Sequence, residues 1–133
     1  MCDCAFYDMT ELGVDRTFTC LLTYANGATA RFFTSFDLPL TSHLEILGTL
    51  GTIMYDRPVL PEKNKPFYLL KNEQVEKIPV PLPRELYQGE VEDIGKTVHK
   101  GGGQRLPLSE SREINQVLVA LYESAAKGAP VKI

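Results

Sequence analysis

The sequence predicts an α+β fold: an open, mostly antiparallel sheet with two helices on one face and the other face exposed for association. Three observations carry that expectation. Hydrophobic residues alternate along most of the chain up to Ile78. Asn26-Gly27 sits between two such alternating runs. After the proline-rich stretch Pro79 to Pro83 the hydrophobic period changes from two to 3.6. Strands first, helices afterwards and hairpins between strands is the order of an α+β domain. Two helices of about 15 residues can cover only one face of a sheet this wide. The other face must meet solvent, another domain or another subunit.

The opening run, Met1 to Asp8, alternates as a strand does, with Cys2, Cys4 and Phe6 on one side and Asp3, Ala5 and Tyr7 on the other. Thr10 to Asp15 is a loop. Thr17 to Tyr24 is a second strand, with Phe18, Cys20, Leu22 and Tyr24 sharing a face and Thr and aromatic residues supplying β-propensity. Asn26-Gly27 then predicts a hairpin into the run Ala28 to Phe36, with a type I′ turn that requires positive φ at both central residues. His43 to Leu47 and Thr52 to Tyr55 pair around a tight turn at Gly48-Thr-Leu-Gly51. Asp56 to Pro66 holds three prolines and mixed charge, a surface loop. Phe67 to Lys71 and Gln74 to Ile78 form another hairpin around Asn72-Glu73. Pro79, Pro81 and Pro83 lack the donor N–H that a central strand needs, so this segment is an extended connector.

Tyr87, Val91, Ile94 and Val98 recur at helical spacing and give one apolar stripe. Glu85 and Glu90 lie early and His99 and Lys100 late, as the helix dipole favours, and Gly101-Gly-Gly103 ends the helix. The last helix has Ser109 as expected N-cap, Glu110 and Glu113 in its first turn, and a stripe of Ile114, Val117, Leu118, Leu121 and Ala125. Gly128 closes it, with Pro130 just beyond, and Val131 to Ile133 reads as a closing edge strand.

Composition narrows the function. The chain has 133 residues, 44% hydrophobic and 23% charged, enough for one core and one domain, residues 1–133. Its net charge of −3 and lack of a basic stripe point away from nucleic acid. No apolar run approaches the ~18 residues of a membrane span, and no secretory signal opens the chain, so the expected location is cytoplasmic. Three cysteines, an odd count, do not suggest a disulfide framework.

The chain offers little chemistry. His99 reads as a helix-end cation. His43, on a strand, could meet a ligand if it lies on the uncovered face, but no second catalytic group is near it in sequence. Cys2 and Cys4 share a face, yet a four-ligand zinc site needs a second pair that Cys20 alone does not supply, so they read as small buried hydrophobes. Gly101-Gly-Gly-Gln104 follows a helix, whereas phosphate loops follow a strand and open a helix. No Gly-x-Gly-x-x-Gly follows a strand. Asp15-Arg16 and the spread of Glu90, Glu92 and Asp93 around a helix complete the charged groups, the latter a solvated face. No catalytic, cofactor-binding or metal-binding residue is therefore assigned.

Five segments in order resemble the C-terminal domain of the glucose–fructose oxidoreductase/inositol dehydrogenase/MocA-like (Gfo/Idh/MocA-like) oxidoreductases. They are Val14-Asp-Arg-Thr17 with its strand, Asn26-Gly27 and second strand to Ala30; Glu45 to Ile53 with two glycines; Gly89 to Ile94; Leu108 to Arg112; and Ala120 to Val131. Asp56 to Pro83 carries no specific resemblance. The resemblance implies a large open sheet whose helical face packs toward a nucleotide-binding domain and whose open face makes a homo-oligomer. It implies a parent enzyme moving hydride between NAD or NADP and a hydroxyl of a sugar, cyclitol or diol. The family's nucleotide-binding (Rossmann) half, with its glycine loop and the Glu-Lys-Pro segment bearing the catalytic lysine, is absent here. So is the family's Asp-x-Gly-x-x-x-His stretch, and Arg16 stands where the family often has Asp. This chain alone is expected to be inactive and to bind no cofactor itself. The alternative is a stand-alone, non-catalytic interaction or scaffold module of the same fold; a self-sufficient enzyme is the weakest reading.

Overall fold

Among the described residues alternation and turn chemistry produce seven strands, and the period-3.6 segments produce two helices, in that order along the chain. The computed structural model describes residues 2–59, 62, 65–80, 87–101 and 104–133, without the side chains of residues 2–4. The elements are β1 (Cys2–Met9), β2 (Asp15–Thr23), β3 (Thr29–Ser35), β4 (His43–Gly48), β5 (Gly51–Asp56), β6 (Phe67–Lys71), β7 (Gln74–Ile78), α1 (Gln88–Lys100) and α2 (Leu108–Lys127). All strand pairs are antiparallel. The expected α+β class with open antiparallel strands holds, but two sheets stand where one was expected, and of the two helices only α2 packs on a strand among the described residues. The strands divide between a three-stranded sheet, β1-β2-β3, and a four-stranded meander, β4-β5-β6-β7. The chain separates into two compact units, Met1–Pro39 with Gly103–Ile133, and Leu40–Gly102.

In the first unit α2 packs on β1. Ala5 and Cys20 face each other across β1 and β2, and Phe18 lies one row along the same face. Leu121 of α2, only 2% exposed, sits on these three, and Leu22, Val117 and Ala125 pack around them. Burying a leucine this fully contributes on the order of 2 kcal/mol. Cys20 is a core residue; the side chains of Cys2 and Cys4 lie outside the described ones. The opposite face carries Phe6 and Phe33, 63% and 57% exposed, on either side of Thr19. That is the uncovered face.

The β2–β3 hairpin forms where Asn26-Gly27 places it, but with a different turn. Only Gly27 has positive φ (84°). Its N–H donates to Tyr24 O at 2.9 Å, and the Tyr24 N–H donates to Ala28 O at 2.9 Å. This is a three-residue loop, a type I turn followed by a left-handed glycine. Asn26 Oδ1 accepts from Ala28 N at 3.0 Å, which ties it to the type I geometry. The two-residue turn with both central φ positive occurs instead at Asn72 (51°) and Glu73 (62°), between β6 and β7.

The helix ends also differ in one place. Pro107, not Ser109, occupies the N-cap of α2, with no side-chain cap. Its extended backbone (ψ 153°) turns the carbonyl onto the first helical N–H groups, Glu110 N at 3.0 Å and Ser111 N at 3.3 Å. Ser109 is thereby carried inside the first turn. Gly128, left-handed at φ 60°, closes α2 as expected. Ser124, fully buried, donates its hydroxyl to Ala129 O at 2.9 Å and pins the exit. The expected closing strand reduces to a single bridge at Val131. Gly101 (φ 65°) closes α1; Glu85, Pro81 to Pro83 and Gly102-Gly103 lie outside the described residues.

Gly51 begins β5 at φ 154°, and a Cβ there would stand 2.6 Å from the Leu70 carbonyl oxygen of the neighbouring strand. Backbone cannot yield as a side chain can. Gly51→Ala is therefore expected to lower stability by about 1–3 kcal/mol, read as a reduced urea midpoint with an unchanged slope.

Candidate functional site

Two clusters of polar side chains merit chemical examination, one in each unit. In the first unit Tyr122 of α2 donates to Asp15 Oδ1 at 2.6 Å, joining helix to sheet across 107 positions of chain. Its ring lies 5.4 Å from Phe18 and 6.4 Å from Tyr7, and Phe18 stacks on Phe32 at 6.0 Å. Arg16 stands between Asp8 (3.6 Å) and Asp37 (3.8 Å), all largely exposed. Such exposed pairs contribute little to stability. The Tyr122–Asp15 bond has a structural job: it fixes the helix against the start of β2.

The hydrogen bond to Asp15, then partial burial, then the carboxylate's charge hold the Tyr122 phenol above its ordinary value of 10.0. The folded chain thus keeps a proton that the unfolded chain releases near pH 10. Stability from this bond is complete below that pH and is lost as pH rises through the folded value.

The second cluster lies on the β4–β7 meander. The two-residue turn between β4 and β5 sets Gly48 opposite Gly51, and stepping outward brings His43 opposite Asp56. His43 Nδ1 and Asp56 Oδ1 are 2.9 Å apart, with both side chains about half exposed (53% and 54%). The Asp56 carboxylate can only accept, so Nδ1 is the donor, and in the neutral form of the ring Nε2 is left as the acceptor. Arg57, next in chain, has left-handed backbone (φ 56°); its N–H donates to Ser42 O at 2.8 Å and its guanidinium pairs with Glu62. These contacts hold Asp56 at the end of the sheet.

Register places Glu45 opposite Met54, Met54 opposite Tyr68 and Tyr68 opposite Lys77. This row lies on the same face as His43 and Asp56, because alternate residues share a face. The other face is mainly apolar, with Leu44 beside Tyr55, Ile46 beside Ile53 and Leu69, and Phe67 beside Ile78, and has Glu76 and Lys71 at its β6–β7 end. The face of His43 bears imidazole, carboxylates, phenol and ammonium at one end and Leu47, Leu70 and Val75 at the other. The partner that His43 lacked in sequence comes from the adjacent strand, and the Gly48–Gly51 turn is the signal that locates it.

The remaining candidates stay apart. His99 is in the exposed last turn of α1, Gly101 is the helix stop, and Glu90, Glu92 and Asp93 lie along α1. Among the described residues no group of three or more His, Cys, Asp and Glu is placed to hold a metal ion, and no helix is long and apolar enough to cross a membrane. The stripe of α1 is bare: Tyr87, Val91, Ile94 and Val98 are 60–73% exposed. An open groove of about 470 Å³ runs beside α2, lined by Arg112, Gln116, Val119, Glu123 and Ile133 among others.

No family model matches the chain. It is 29% identical over 127 residues to D-xylose 1-dehydrogenase (NADP(+)) 2 of Haloferax volcanii, a match over 95% of this chain and 39% of that protein. Its fold matches the crystal structure of aldose-aldose oxidoreductase from Caulobacter crescentus complexed with glycerol. The TM-score is 0.84 at 16% identity, over 99% of this chain and 41% of that one. The resemblance to the C-terminal domain of the Gfo/Idh/MocA-like oxidoreductases holds. Both relatives are sugar oxidoreductases by name, and the chain spans about two fifths of the length of each.

Tyr122→Phe removes a hydrogen bond to a carboxylate and is expected to cost about 1 kcal/mol at neutral pH. The wild type should lose stability as pH rises above 10, and the variant should lose less. Urea unfolding of both chains on either side of that pH measures the difference.

Proposed function

We propose that this chain is the substrate-side and oligomerisation domain of an NAD(P)-dependent oxidoreductase acting on a hydroxyl of an aldose or related polyol. On this reading the chain is a single domain, inactive alone, and a nucleotide-binding half completes it. The observation that carries the proposal is the match of 95% of the chain to about two fifths of a D-xylose dehydrogenase. The exposed stripe of α1 and the apolar groove beside α2 support it, since apolar surfaces of this kind mark interaction sites. Gly101 ends a helix instead of opening one, so this turn does not fit a dinucleotide pyrophosphate. No residue of this chain is given a cofactor role.

Joined to the nucleotide-binding half of a related dehydrogenase, the chain is expected to support NADP+ reduction dependent on D-xylose. Alone, it is expected to give no heat of NADPH binding in calorimetry. Micromolar binding by the isolated chain would overturn this division of labour, as would a folded fusion that binds NADP+ and reduces none with any aldose.

The uncovered face of the β1–β3 sheet is the proposed contact between copies, with Phe6 and Phe33 exposed at its centre. Phe33→Asp places a charge in that contact and is expected to weaken self-association about tenfold or more. Sedimentation velocity across a concentration series reads this directly; a wild-type monomer at every concentration would remove the oligomer from the proposal.

A further inference from the structure

We propose that the polar face of the β4–β7 meander is a hydroxyl-binding surface for a monosaccharide, with His43 Nε2 as its acceptor and Glu45 and Tyr68 as flanking contacts. This deepens the reading of the chain as a substrate-side domain and rests on it for the ligand class.

The argument starts from what a sugar presents. It has hydroxyl groups around a ring, each both donor and acceptor, and a hydrophobic C–H face. A surface that binds it needs acceptors with fixed direction, carboxylates that take two donors, and an aromatic or apolar floor. The meander supplies all three from adjacent rows. His43 has its ring orientation set by the 2.9 Å contact from Nδ1 to Asp56, so Nε2 is a directed acceptor. Glu45 stands two residues along the same strand and face, about 7 Å from His43 by strand rise. Tyr68 lies two strands away, with Met54 between them. Tyr68 and Met54 are half-buried while His43, Glu45 and Asp56 are exposed, giving an apolar floor with a polar rim.

The Asp56 end is held by backbone. Arg57 accepts left-handed backbone that a non-glycine residue rarely adopts, and its N–H bonds to the carbonyl beside His43. Asp56 is thus a positioning residue, acting through the imidazole; His43 makes the contact. No bond is broken in this step, and the proton on Nδ1 stays with the pair.

The test uses the full 133-residue chain, D-xylose as probe and nitrogen-detected NMR of the imidazoles. His43 Nε2 is expected to shift saturably with sugar while His99 does not move. Asp56→Asn should weaken binding about tenfold and restore the second imidazole tautomer, a change that loss of packing alone would not produce. Leu12→Ala, in an exposed loop, should bind as the wild type does. Absence of a His43 shift in a folded chain overturns the proposal, and so does an equal shift in the Asp56→Asn chain. The fusion separates the two readings. An active fusion whose KM for D-xylose is unchanged by Asp56→Asn refutes the subsite and leaves the domain assignment standing. A saturable His43 shift in a chain whose fusions reduce no NADP+ supports the subsite and refutes the domain assignment.

Discussion

The seat of Leu121 on Ala5, Phe18 and Cys20 is the contact on which the first unit depends. It is possible because Ala5 is small. An alanine at that row of β1 lets the helix approach closely enough for a leucine to reach the strand pair beneath. The same geometry decides what else is buried. Ser124, one turn further along α2, is enclosed by that approach and must bond internally, and it does so to Ala129 O. Tyr122, adjacent to Leu121, is directed to the sheet margin, where Asp15 accepts its hydrogen bond. One apolar contact thus fixes the helix position, the helix exit and the clasp at its side.

The second unit has no comparable seat. Among its described residues only Pro66 is buried, and on the apolar face of its meander Leu44 and Ile46 are exposed. α1 carries no buried residue at all. A hydrophobic stripe left exposed on a helix is costly for a free domain and ordinary for a domain completed by a partner. The sheet itself is well specified all the same. A slip of one residue in any pairing would exchange the two faces. That register is what makes His43 and Asp56 neighbours.

Much of this was legible in the sequence where local chemistry governs. Among the described residues seven strands and two helices fall where alternation, glycine and proline place them, because each signal acts over a few residues, while the expected strand at Val131 to Ile133 is only a bridge. The turn types were less legible. Asn26-Gly27 takes a three-residue loop because Asn26 prefers the side-chain bond to Ala28 N, whereas Asn72-Glu73 accepts the left-handed pair without any glycine. Ser109 lost the cap position because Pro107, two residues earlier, already had a backbone suited to it. The Tyr122–Asp15 bond could not be read at all, since nothing local links residues so far apart. His43–Asp56 is the instructive middle case. Its two members look unrelated along the chain, but the tight turn at Gly48 to Gly51 determines their pairing by counting outward.

The contrast between the two polar clusters bears on how a substrate-side half would work. Tyr122 is bound to Asp15 through its only hydrogen, and its ring is in contact with Phe18. Such a group is spent on structure. His43 is tied through Nδ1, on a side chain about half exposed at the start of β4. A side chain oriented by a partner, yet with one free acceptor, is preorganised for a ligand without paying for its own ordering on binding. Placing it on a strand pair closed by a two-residue turn makes the position more exact than a loop would. The cofactor half of such an enzyme supplies the redox chemistry, so the substrate half needs only to hold hydroxyls in register. For that task a sheet face with fixed row spacing is enough.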